Sequence, residues 1–192
     1  MANTPDTSTQ GKPFLTDVKT LRQRARDHMM DGAVTKSYGG DTRRACEILN
    51  EALATEIVCV LRYKRHYFTA TGIHAGSVKT EFLEHAAEEQ DHADRIAERI
   101  VQLGGEPNFS PGDLLSRSHS EYVEGTTLRD MIEEDLVAER IAIDSYREIA
   151  AYFAAFDPTT RRLIEEILAV EEEHADDLAE LLDRFPVATE AR

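Results

Sequence analysis

The sequence predicts an all-α fold: a bundle of four long helices with one long crossover between the second and third, and a short extra helix at the N-terminus. Three observations predict it. Apolar residues recur at helical spacing over four long stretches, no stretch alternates as a strand would, and the second pair of helices repeats the pattern of the first.

Residues 1–13 lack helical patterning, and then Val18, Leu21, Ala25 and Met29 follow helical spacing behind Thr16 as the expected cap. "SYGGDT" breaks the chain, and Asp41 or Thr42 can cap a helix running to about Phe68 with the stripe Leu49, Ala52, Leu53, Glu56, Val60, Tyr63 and Tyr67. A second helix over roughly 76–103 carries Phe82, Ala86, Glu89, Ala93, Ile96 and Ile100 and stops at "GGEP". Residues 104–126 are rich in Gly, Pro and Ser, with at most a short helical segment around Leu114. Such a link, extended, spans about 70 Å, more than the ~42 Å of a long helix, so it can return the chain along the bundle and leave the second and third helices parallel. The third helix runs from about Thr127 to Phe156 with Met131, Ile132, Asp135, Leu136, Glu139, Ile143, Tyr146 and Phe153, and the fourth from about 159 to 184. The expected organisation is therefore an N-terminal extension over 1–40, one bundle over 41–185 and a tail over 186–192.

The chain of 192 residues is 41% apolar, enough for one sizeable core, and its net charge of −15 disfavours a bulk grip on nucleic acid or anionic membrane. The charge is uneven: residues 1–44 hold eight Lys/Arg against five Asp/Glu, so only this stretch suits a polyanion. Cys46 and Cys59 fall in one helix, about 20 Å apart at its rise, and cannot pair within it. With no apolar run of membrane-spanning length and no signal-peptide pattern, the expected setting is the reducing cytoplasm.

The chemistry lies in the repeat. "EEQDHADRIAERI" in the second helix matches "VEEEHADDLAELL" in the fourth, aligning Glu89 and His92 with Glu171 and His174. The first helix has Glu56 with Tyr63 seven residues on, and the third has Glu139 with Tyr146 seven residues on. Residues three apart share a helix face, so each Glu-x-x-His presents a carboxylate and an imidazole to one point. With one core-facing Glu from each remaining helix, four carboxylates and two imidazoles converge. Burying four such carboxylates without counter-charge costs several kcal/mol each, and two bridged metal ions supply that charge. Oxygen-rich mixed ligation suits iron or manganese better than structural zinc.

On these residues the sequence resembles the ferritin-like superfamily, closest to bacterioferritins and the bacterioferritin-type branch of Dps-like mini-ferritins, over about residues 42–184. The resemblance implies that Glu56 with His92 serves one iron, Glu139 with His174 the other, and that Glu89 and Glu171 bridge the two. It implies oxidation of Fe(II) by dioxygen or hydrogen peroxide and deposition of Fe(III) inside a protein shell. Tyr63 and Tyr146 are expected to hydrogen-bond carboxylates around the site or to supply an electron.

The chain also departs from that pattern. Bacterioferritins bind haem through a methionine after the second-helix Glu; Gln90 stands there, so no haem is expected. Only 18 residues follow His174, too few for the fifth helix of 24-subunit cages, which points to a twelve-subunit homo-oligomer. His85, with Glu84 and Glu88 beside it, suits either an iron access route or a solvated acidic face, while His28, His66, His74 and His119 read as surface residues. Ligands alone do not fix a reaction. A rubrerythrin-like peroxidase with a separate reductase, a di-iron hydroxylase, a manganese catalase and a DNA-protecting protein that binds through residues 12–44 stay open.

Overall fold

The computed structural model of the chain describes residues 16–184, and the expectations for residues 1–13 and for the tail from 186 lie outside them. The described chain divides after Ser37 into two compact units. The first contains α1 (Val18–Asp27), which buries none of its residues. Its cap is Asp17 and not Thr16: the Asp17 carboxylate accepts the Thr20 N–H at 3.0 Å. A negative charge at that position also favours the positive end of the helix.

The second unit holds α2 (Thr42–Thr69), α3 (Ala75–Gln102), the single-turn α4 (Leu114–Arg117), α5 (Leu128–Phe153) and α6 (Pro158–Arg184). Each start has a local cause. Asp41 accepts the N–H groups of Arg43 and Arg44, and Thr127 and Asp130 form a reciprocal capping box. Asp157 accepts the Thr160 N–H at 2.9 Å ahead of Pro158, whose missing N–H is no loss in a first turn. At the end of α3, Gly104 takes φ 83°. The N–H groups of Gly104 and Gly105 then close on the carbonyls of Val101 and Ile100, both at 2.9 Å. A side chain on Gly105 would meet Cys46 Sγ at 2.5 Å. α5 ends at Phe153, three residues before the expected Phe156. The chain tightens there, with Asp157 N–H bonded to the Phe153 carbonyl, which brings Asp157 round to cap α6.

Cross-helix contacts fix the topology. Arg62 meets Asp135, Tyr63 meets Glu139 and Tyr146 meets Glu56, so α2 and α5 run antiparallel. His85 faces Asp177, His92 faces Glu171 and Arg99 holds Asp157, so α3 and α6 do too. The link between α3 and α5 advances along α2 in register: Asn50 bonds Asn108, Thr55 bonds His119, Arg62 bonds Glu121 and Arg65 bonds Glu124. The chain therefore returns the length of α2, and α3 and α5 are parallel. This is a four-helix bundle with one long crossover.

The crossover also changes one reading of the sequence. His66 was expected at the surface, but it is fully buried, as are Arg62 and Asp135. Arg62 Nε donates to Asp135 Oδ1 at 2.7 Å, His66 Nδ1 lies 2.8 Å from Asp135 Oδ2, and carbonyls of Glu121 and Glu124 take the remaining reach of Arg62 and His66. The crossover covers this face of α2 with backbone acceptors, which is why the Arg62 guanidinium and the His66 ring can be buried there. His28 and His74 are exposed and His119 is partly so. No helix among the described residues is long and apolar enough to cross a membrane.

Candidate metal centre

Midway along the bundle, each of the four long helices turns a carboxylate inward. Glu56 comes from α2, Glu89 from α3, Glu139 from α5 and Glu171 from α6, with His92 and His174 one turn on from Glu89 and Glu171. None of the six is more than 2% exposed. They sort into two overlapping groups: Glu56, Glu89, His92 and Glu171, and Glu89, Glu139, Glu171 and His174. Within each group one potential ligand atom per residue lies within 4.8 Å of all the others. Glu89 and Glu171 are common to both.

Both imidazoles face this cavity through Nδ1. His92 Nδ1 lies 3.0 Å from Glu171, 3.3 Å from Glu56 and 3.7 Å from Glu89. His174 Nδ1 lies 3.6 Å from Glu89, 3.6 Å from Glu171 and 4.0 Å from Glu139. Behind the ring, Glu88 takes His174 Nε2 at 2.7 Å and so fixes which nitrogen points inward. Despite these short approaches, one buried atom of each of the six residues lacks a hydrogen-bond partner: Glu56 Oε2, Glu89 Oε1, His92 Nδ1, Glu139 Oε2, Glu171 Oε1 and His174 Nδ1. Six orphaned atoms around one cavity, all oxygen or imidazole nitrogen, fit a pair of divalent ions.

Without metal, protons balance the charge. Burial raises the carboxyl groups of Glu56 and Glu139 well above the usual range, and the charges of Glu89 and Glu171 raise them further. Burial also works against the charge on Glu89, but Glu56, His174 and His92 beside it hold its carboxyl well below that range. Burial disfavours imidazolium too, yet Glu171 and Glu89 push His174 up to about 12, and Glu171, Glu56 and Glu89 raise His92.

Each tyrosine reaches across to the opposite half. Tyr63 donates to Glu139 and Tyr146 donates to Glu56, and both are fully buried. Their targets are thus carboxylates of the cavity itself. Burial and Glu139 keep the Tyr63 hydroxyl well above its ordinary value, so it remains a donor.

His85 is only 2% exposed, which removes it from any solvated face. It stacks on His174 with ring centroids 3.9 Å apart, and its Nδ1 lies 3.2 Å from the Tyr63 hydroxyl. Burial and then His174 depress it to about 3. Of the two carboxylates thought to flank His85, Glu88 serves His174. The neighbours of His85 are Glu81, one turn back on α3, and Asp177, whose approach depends on the register of α3 against α6 and leaves no spacing signal in the sequence.

Comparison with known proteins agrees with this architecture. The ferritin-like domain family matches residues 46–187. A nutrient stress-induced DNA-binding protein of Synechococcus is 34% identical over 144 residues, 73% of this chain and 82% of that one. A bacterioferritin of Rhodobacter capsulatus is 31% identical over 138 residues, 71% and 81% of the two chains. Among solved structures, the dodecameric thioferritin of Bacteroides fragilis, a bacterioferritin-related protein, superposes with a TM-score of 0.73 at 33% identity over 76% of this chain and 88% of that one. With the family matched across nearly the whole bundle and relatives of this similarity on both the bacterioferritin and DNA-binding sides, the chain belongs to the ferritin-like domain family.

Proposed function

We propose that the protein is a ferroxidase that oxidises Fe(II) at the bundle centre and keeps the Fe(III) inside a homo-oligomeric shell. The observation that carries this reading is the pair of overlapping ligand groups sharing Glu89 and Glu171. Glu56 and His92 hold one iron, Glu139 and His174 the other, and Glu89 and Glu171 bridge; manganese fits the same donors. Two Fe(II) held as substrate give one electron each, and with two protons from solvent these convert dioxygen to hydrogen peroxide or hydrogen peroxide to two waters, leaving two Fe(III). Binding requires His92, His174, Glu56 and Glu139 to release their protons, while Tyr63 and Tyr146 hold Glu139 and Glu56 in place by hydrogen bonds or, as a finer part of the proposal, each give one electron and the hydroxyl proton when dioxygen is reduced by four electrons to water, leaving tyrosyl radicals. Gln90, whose amide bonds Asp94 at 3.0 Å, offers no thioether to a haem.

The described relative from Bacteroides fragilis is dodecameric. Twelve subunits are our proposal here too, since an enclosed volume is what keeps ferric product from precipitating. Light scattering should give a mass near twelve times 21.6 kDa. The deciding experiment mixes the protein with Fe(II) and either oxidant: oxidation should outpace the buffer control and the product should stay soluble with the protein. Peroxide consumption with an external reductant and no iron retained would favour a rubrerythrin-like peroxidase instead. A second reading, DNA protection, is favoured by the DNA-binding relative and by the basic surplus of residues 1–44. A gel-shift assay that finds no complex even at low salt removes it.

A further inference from the structure

Glu81, His85 and Asp177 lie at the solvent side of the centre, between α3 and α6, and each offers one ligand atom within 4.8 Å of the others. The buried member of this group keeps one ring nitrogen without a hydrogen-bond partner among the described residues. Tyr63 gives its only hydrogen to Glu139, so its oxygen can only accept from His85 Nδ1 at 3.2 Å. That contact places the ring hydrogen on Nδ1 and leaves Nε2 a bare lone pair. Nε2 points at two more acceptors, Glu81 Oε1 at 3.6 Å and Asp177 Oδ2 at 3.9 Å, and makes no hydrogen bond with either. Three acceptors converging without a donor call for a cation.

We infer that Glu81, His85 and Asp177 form a third divalent-cation site, distinct from the central pair, that stages Fe(II) between solvent and the cavity. Its donors, two carboxylate oxygens and one imidazole, suit Fe(II) or Mn(II). The partly exposed carboxylates, 30% for Glu81 and 45% for Asp177, leave the outer side open to water, while the inner side is the His85 ring stacked on His174. The repeat also singles this site out. At the matching positions of the other half stand Leu163, Ile167 and Arg95, which cannot bind a cation together. The duplication that explains the central ligands therefore does not explain this group, and only one end of the cavity carries it.

The staging role rests on the ferroxidase reading, but the site itself does not, and the test separates them. Anaerobic Mn(II) titration, with free ion counted by electron paramagnetic resonance, should find about three ions per chain in the native protein, about two in Glu81→Gln with Asp177→Asn, and about one in Glu89→Gln with Glu171→Gln. Both substituted surface residues are partly exposed, and circular dichroism checks that the helices persist. If the Glu81/Asp177 variant binds as many ions as the native chain, the third site is refuted. If instead the Glu89/Glu171 variant keeps the native count while the Glu81/Asp177 variant loses one, the central assignment fails and the third site stands. For staging, the Glu81/Asp177 variant should raise KM for Fe(II) about tenfold with kcat unchanged; an unaltered KM would overturn that role.

Discussion

Tyr63 on α2 donates its hydroxyl hydrogen to Glu139 on α5, and Tyr146 returns the relationship by donating to Glu56. Each tyrosine thus orients the carboxylate that the other half contributes. Tyr63→Phe and Tyr146→Phe keep the ring and its packing but free that carboxylate to rotate. Either should weaken Mn(II) binding about tenfold, measured by calorimetry, at unchanged helix content. Equal affinity in both variants would show that packing alone fixes Glu139 and Glu56.

Metal binding should strengthen as pH rises. In the metal-free centre Glu56, Glu139, His92 and His174 all hold protons above their ordinary values, and every one must leave before its atom can act as a ligand. Uptake should release up to about four protons per chain, read as buffer-dependent heat in calorimetry.

Stability of the metal-free protein should follow the opposite sign. A group whose folded value is raised stabilises the fold fully below its unfolded value and loses that contribution as pH rises toward the folded one. His174, at about 12, and the raised His92, Glu56 and Glu139 all act in this direction between about pH 6.5 and 9, so the apoprotein should melt lower at about pH 9 than at about pH 6.5. Metal-loaded protein should not show this fall.

Arg62→Ala should destabilise the fold by about 3–5 kcal/mol, since it leaves Asp135 charged, buried and without its guanidinium. Chemical denaturation measures the loss. The substitution lies on the crossover side of α2, and the number of metal ions bound by the folded protein should be unchanged.

Gly104→Ala forces a side chain onto a residue at φ 83° and should cost about 1–2 kcal/mol. Gly105→Ala meets the Cys46 thiol instead. A paired Gly105→Ala, Cys46→Ala variant should recover part of the Gly105→Ala loss in thermal melts, and the same Cys46 change should not rescue Gly104→Ala.

The central residues were legible in the sequence because their geometry is local: Glu89 with His92, and Glu171 with His174, sit one turn apart on their own helices. Repetition then supplied what spacing could not, aligning Glu56 with Glu139. The groups that escaped are those assembled across helices. Asp135 stood out on the stripe of its helix, but its partners Arg62 and His66 approach from α2 under a crossover whose path no periodicity encodes. His85 was visible as a histidine in line with Glu89, yet its partner Asp177 depends on how α3 slides along α6. Helix ends were read to within a few residues; the miss at Asp17 came from a side-chain cap chosen among neighbouring acceptors, and the miss at Phe153 from a backbone turn in which the Asp157 N–H closes on the Phe153 carbonyl.

Each helical hairpin carries half of the central donor set: one Glu, and one Glu-x-x-His. Two separate copies of such a hairpin, related by a twofold axis, would complete the same cavity as a homodimer. Joining them by the crossover turns that symmetry from a requirement into a starting point, because a fused chain can alter one half without altering the other. Arg62 and Asp135 correspond in the repeat to Ser145 and Ala52, and His85 corresponds to Ile167. The covalent link thus gives a formerly symmetric centre a front and a back, and with them a direction in which an ion can travel.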